Sequence, residues 1–236
     1  MPGRKLRIAA VLLALLTPLA SHAAGTQKAF SLPELASGQA NNVTVARVRQ
    51  DGRPGIEIRA SNAGPDGDSF LTLVGYEFQD GEISADVSAE VLPGSDSSIR
   101  AFAGLGFRGS ADGYEAFYLR MLNGRATDQL QRNHAAQYIS HPGYGWARLR
   151  REMPGAYEAY VDLQPRRWTP MRIVVCGAEA ALYVNGASQP TLLVHDLKRG
   201  AQTRGALLLW VGPGTAARFA NVKVRTSVPC PLGAAR

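Results

Sequence analysis

From Glu82 to Val91 the chain alternates without a break, Glu-Ile-Ser-Ala-Asp-Val-Ser-Ala-Glu-Val, with an apolar side chain at every second position. Successive side chains of an extended chain point to opposite sides, so this period demands a strand with one buried face. Ala101, Ala103, Leu105 and Phe107 form a second apolar row, with Phe102, Gly104, Gly106 and Arg108 opposite. In Tyr114–Met121, Phe117, Leu119 and Met121 share one face, and Tyr114, Tyr118 and Arg120 the other. Met171/Ile173/Val175, Leu182/Val184 and Val222/Val224 repeat the pattern, and Asp51-Gly52, Asp80-Gly81, Asn123-Gly124, Cys176-Gly177 and Asn185-Gly186 supply turns. No long amphipathic helix is expected. The expected fold is all-β, an antiparallel β-sandwich or barrel. The longest gap in the pattern, Gly124 to Gly145, reads as a long loop region.

The two ends of the chain are of other kinds. Arg4, Lys5 and Arg7 precede an apolar run from Ile8 to Ala20, and small residues follow at Ser21 and Ala23. That order matches a secretory signal peptide over residues 1–23, and the run is too short to span a membrane. A single domain over 24–228 and a tail over 229–236 are expected. With 45% apolar and 19% charged residues, the chain can bury a core, which excludes disorder as its main state. An exported chain with two cysteines suggests one disulfide, Cys176 to Cys230, and a periplasmic or secreted location. No metal or cofactor is expected from Cys or His spacing. The Asx-rich segment Asn62–Asp68 has two readings, a structural Ca²⁺ loop or a turn.

Four segments resemble the concanavalin A-like lectin/glucanase superfamily. They are Trp168-Thr-Pro-Met-Arg-Ile-Val-Val-Cys-Gly with Ala181-Leu-Tyr-Val-Asn-Gly, Gly205-Ala-Leu-Leu-Leu-Trp, and Phe219-Ala-Asn-Val-Lys-Val. Gly106-Phe-Arg108 and Gly113-Tyr-Glu-Ala-Phe-Tyr-Leu-Arg120 resemble its 3-keto-disaccharide hydrolase-like branch. The resemblance covers roughly Phe78 to Val224 and implies a jelly roll that handles saccharides. The glucanase signature Glu-x-Asp-x-Glu is absent: Glu82-x-Ser84-x-Asp86 lacks the middle acid.

The net charge is +7, and 22 of the 26 cations are Arg. Eight Arg stand between Ser98 and Arg151 against Asp112, Glu115 and Asp128. Genome base composition is one account of this bias. The other is recognition of carboxylates, sulfates or sugar hydroxyls by planar guanidinium groups. For an exported chain a saccharide, anionic or neutral, is the expected partner. Nucleic acid, membrane insertion after signal cleavage and oligomerisation are not expected. Tyr118 and Arg120 share a strand face away from the apolar row, and Arg108 joins them if the strands pair in register. That face should be wet. Arg132, Asn133, Gln137, Tyr138 and Trp146 would form a cleft wall with it, Trp146 as the stacking ring. For hydrolysis the weak candidate carboxylates are Glu115 and Glu158, which could meet only across strands. Three readings follow: a glycan-binding domain, a glycoside hydrolase or lyase, and a laminin-G-like adhesion module.

Overall fold

A computed structural model describes residues 26–60, 69–226 and 228–230. The segment expected to be a signal peptide and the Asn62–Asp68 segment lie outside the described residues. The first elements are β1 (Gln27–Ala29), α1 (Leu32–Ala36), β2 (Gln39–Asn41), β3 (Val43–Gln50), β4 (Arg53–Ala60), β5 (Phe70–Phe78) and β6 (Gly81–Val91). The middle of the chain supplies β7 (Phe102–Ser110), β8 (Gly113–Arg120), α2 (Gln129–Asn133), β9 (Ala136–His141), α3 (Trp146–Glu152) and β10 (Glu158–Ala159). The last are β11 (Thr169–Cys176), β12 (Glu179–Val184), β13 (Leu192–Val194), β14 (Gly205–Val211) and β15 (Thr215–Arg225).

These strands form two antiparallel sheets, as the alternation requires. The back sheet runs β13-β12-β11-β6-β15-β4-β3, with β1 alongside β15, and the front sheet runs β10-β9-β8-β7-β14-β5-β2. Between them Ile83, Val87, Ile173, Val175, Leu182 and Phe219 from the back meet Leu105, Phe107, Phe117, Leu119, Leu207 and Leu209 from the front, all almost fully buried. Each such side chain contributes about 1.5–3 kcal/mol by leaving water. Asp51 and Gly52 both adopt positive φ (51° and 75°), the geometry a two-residue β3–β4 hairpin needs.

The outer face of the back sheet is a lattice of ion pairs. Glu82 meets Arg172 and Arg225, Asp86 meets Arg53, and Glu57 is held between Arg59 and Arg218. Cys176 at the end of β11 is bonded to Cys230, with Cα atoms 5.8 Å apart. Val228 packs with Cys176 against Val174, Ala181 and Tyr183 on this face.

Two expectations are corrected. The Gly124–Gly145 segment is not a continuous loop: it holds α2 and β9, and β9 pairs with β8 over six residues. Ala136 to Ser140 are buried on both faces of that strand, so the segment shows no apolar–polar alternation to read. Arg108 does not share a face with Tyr118 and Arg120. One extra residue in β7 between Phe107 and Ser110 makes a bulge, Arg108 takes φ 53°, and its side chain turns into the interior.

Candidate functional site

The outward face of the front sheet carries Phe102 on β7, Tyr114, Ala116, Tyr118 and Arg120 on β8, Ile139 and His141 on β9, and Leu208 and Trp210 on β14. The register sets this face: Tyr118 opposes Gln137 on one side and Gly104 on the other, and Gly104 opposes Trp210. Without a side chain at Gly104, the rings of Tyr118 and Trp210 stack over that position, centroids 4.6 Å apart. A Cβ there would lie 2.6 Å from Tyr118 Cβ and 2.2 Å from the Phe117 carbonyl oxygen. Tyr114 stacks on His141 at 5.2 Å.

Over this floor lies a groove of about 710 Å³, within the range of small-molecule sites. Its walls are α3 with Trp146, Arg148, Arg150 and Arg151, the Ser98–Arg100 segment, Pro213, Gln131 on α2, and Asn123 and His134. A smaller hollow of about 440 Å³ near Arg166, Arg167 and Arg218 has no aromatic lining, and its Arg218 is committed to Glu57 and Glu90.

Arg120 anchors the inner end of the groove and is buried rather than wet. Its Nη2 donates to Tyr118 Oη at 2.7 Å and to Gln137 Oε1 at 3.1 Å, and its Nη1 to the His134 carbonyl at 2.8 Å and to Glu158 at 3.3 Å. Glu158, on the short strand β10, also takes a two-point hydrogen bond from Arg150 and lies 3.5 Å from His134 Nε2. One buried carboxylate thus clamps two guanidinium groups, which is why a face expected to be solvated can be dry: its donors are paired within the protein. Burial pushes the Tyr118 hydroxyl above the ordinary phenol value, against the pull of Arg120. Burial also pushes the His134 imidazole down, against the attraction of Glu158.

Trp146 opens α3. The Arg150 guanidinium lies over its ring at 4.9 Å, and half of the residue is exposed where it lines the groove. Arg148 lies over Tyr144 at 4.3 Å.

Of the residues expected in the site, Tyr118, Arg120 and Trp146 line the groove, and Gln137 supports Arg120 from behind. Arg132 and Asn133 lie on α2 outside the lining: Arg132 sits over Tyr160 at 4.9 Å, and Asn133 accepts from Gln129. Tyr138 faces the core, where its hydroxyl donates to Glu115 at 2.6 Å. Burial and that carboxylate push its phenol far up. Arg108 is wholly buried, bonded to Glu115, Asp80 and the carbonyls of Gln79, Gly177 and Gly200. Glu115 points inward and Glu158 belongs to the outward network, so the two stand on opposite faces of the front sheet. They cannot form an acid/base pair.

Phe102, Asn123, Arg148, Arg150, Arg151 and Trp210 were not singled out from the sequence. The usable signals were the i,i+4 pairs Trp146/Arg150 and Arg148/Glu152, compressed into a helix of seven residues.

At the level of sequence no protein-family profile and no curated protein matches the chain. Its fold is that of solved jelly-roll sandwiches. A carbohydrate-binding module of family 66 from Bacillus subtilis superposes with TM-score 0.51 at 15% identity, covering 79% of this chain and 97% of that one. A B. subtilis protein of unknown function with a galectin-like fold gives TM-score 0.54 at 11% identity, covering 86% and 96%. A family 16 glycoside hydrolase from Bacteroides ovatus gives TM-score 0.47 at 9% identity, covering 86% and 94%. The chain has a jelly-roll β-sandwich fold.

Proposed function

We propose that this chain is an exported saccharide-binding domain whose ligand lies in the groove across the front sheet. The observation that carries this reading is the groove itself: an aromatic floor built on Gly104, a half-exposed Trp146 at one wall, and fixed planar donors beside them. Sugars present C–H faces to aromatic rings and hydroxyls to such donors. The fold shared with a carbohydrate-binding module supports the same reading. Export is supported by the Cys176–Cys230 bridge, since disulfides persist in oxidising compartments.

Binding is favoured over hydrolysis because, among the described residues, no Asp or Glu lines the groove. Glu158 lies behind it, held by two arginines, whereas glycoside hydrolysis commonly needs two carboxylates flanking the scissile bond. The segments that resemble the 3-keto-disaccharide hydrolase-like branch place Arg108 and Glu115 in the core, where they serve the fold.

The test is a glycan array probed with the wild type and Trp146→Ala, with product assays on every bound sugar. Saturable binding, weakened about tenfold or more in Trp146→Ala without loss of fold, is expected, with no new reducing ends and no unsaturated product. Turnover would make it an enzyme. Binding to no saccharide would leave the adhesion-module reading.

A further inference from the structure

We infer that the saccharide taken by this groove is acidic, its anionic substituent held by Arg148, Arg150 and Arg151 along α3, and one of its hydroxyls donated to Oδ1 of Asn123. This rests on the saccharide reading above and adds charge to it. The lining contains Arg100, Arg120, Arg148, Arg150 and Arg151, and no carboxylate among the described residues. Three carboxylates behind or beside the groove interact with these arginines: Asp96 with Arg100, Glu152 with Arg148 and Arg151, and Glu158 with Arg120 and Arg150. Five guanidinium groups against three carboxylates leave the cavity positive.

Two of the arginines on α3 are held in place before any ligand arrives. Arg150 lies on Trp146 with Nε and Nη2 bonded to Glu158, and Arg148 lies on Tyr144 with Nε bonded to Glu152 and Nη1 to the Gly143 carbonyl, so both planes are fixed and their remaining N–H groups are left for a carboxylate or sulfate. Asn123 supplies an independent pointer. Its Nδ2 donates to the His134 carbonyl at 3.2 Å, which fixes the orientation of the amide. Its Oδ1 is then a buried acceptor with no partner among the described residues, in a residue that lines the groove and is only 4% exposed. Such an acceptor is costly to leave unmade and calls for an O–H or N–H donor from a ligand. Cations for an acid and an acceptor for a hydroxyl fit an acidic sugar. A single-stranded nucleic acid fits less well, because successive bases need successive exposed rings, and among the described residues the groove lining has one half-exposed ring, Trp146.

The experiment measures binding of the full secreted chain to polygalacturonate, its carboxyl-reduced form, dextran sulfate, dextran and a single-stranded oligonucleotide. The expected result is salt-sensitive binding to at least one acidic polysaccharide. Where polygalacturonate is bound, carboxyl reduction weakens it roughly tenfold or more, the size of one charge-assisted hydrogen bond. The double variant Arg148→Gln/Arg151→Gln, at exposed side chains, should melt like the wild type. It should lower affinity for the acidic polymer, by an amount not additive with carboxyl reduction. Equal or better binding to neutral polymers overturns the acidic assignment and leaves the saccharide reading standing. Binding to no polysaccharide, or preference for the oligonucleotide, overturns both.

Discussion

Arg108 and Glu115 meet inside the sandwich with neither side chain reaching solvent, Nη1 of one 3.4 Å from Oε2 of the other. The pair ties β8 to the β5–β6 turn, through Gln79 and Asp80, and to the β11–β12 turn, through Gly177. Removing one partner of a buried pair leaves an uncompensated charge, at a cost of about 3–5 kcal/mol. Arg108→Met should therefore lower stability by that order in urea unfolding. Arg108→Met/Glu115→Gln should recover part of the loss. If the double variant is as unstable as the sum of the singles, the two residues are not coupled.

The floor of the groove depends on the missing side chain at Gly104. Gly104→Ala puts a Cβ against Tyr118 and the Phe117 carbonyl, so the stacked Tyr118–Trp210 pair must separate. A loss of about 1–3 kcal/mol is expected, the usual cost of overpacking. Near-ultraviolet circular dichroism should change with it, and saccharide binding should fall. A variant with the wild-type aromatic spectrum would show that the floor does not need Gly104.

Arg120→Ala and Trp146→Ala should behave differently. Arg120 is nearly buried and has four partners, so its loss strands Glu158 beside a single remaining arginine and lowers the melting temperature by several degrees. Trp146 is half exposed on a short helix, so its loss should spare the melting temperature and weaken binding. Equal thermal shifts for the two would contradict a buried Arg120 and a half-exposed Trp146.

Acid should weaken the back sheet. Burial pushes the Glu57 carboxyl up, and hydrogen bonds and charge from Arg59 and Arg218 more than reverse this, leaving it below the ordinary carboxylate value. A group lowered in the folded state contributes stability above its unfolded pKa, about 4.3 for Glu, and loses it as pH falls through the folded value. Melting temperatures between about pH 6 and pH 3 should fall more steeply for the wild type than for Glu57→Gln. Parallel curves would remove Glu57 from the acid transition.

The sandwich was legible because β6 and β11 each bury mainly one face, and β8, though covered on both, keeps Phe117, Leu119 and Met121 in one apolar row, so that period survives in the residues. Tyr118, Arg120 and Trp146 were legible for the same reason, or as aromatics in a Gly-rich stretch. Arg108 was misplaced because a single inserted residue reverses every side chain beyond it, and no composition cue marks the bulge. Strand β9 was missed because both its faces are covered. The arginines of α3 were visible only as local charge, since two turns of helix are too short for a 3.6-residue period to stand out.

The tail provides the last prediction. Cys230 lies beyond β15 and is bonded to Cys176, 54 residues earlier, while Val228 covers Val174, Ala181 and Tyr183 on the outer back sheet. In the chain-entropy account a loop of that length is worth at most about 4 kcal/mol. Protein purified from an oxidising compartment should show no reactive thiol when denatured without reductant. Reduction, or Cys176→Ser/Cys230→Ser, should lower the urea midpoint and release the tail from the apolar patch, which protease nicking after Arg225 would report. Two titratable thiols in the native preparation, or a serine double variant as stable as the wild type, would show that the bridge does not hold the tail.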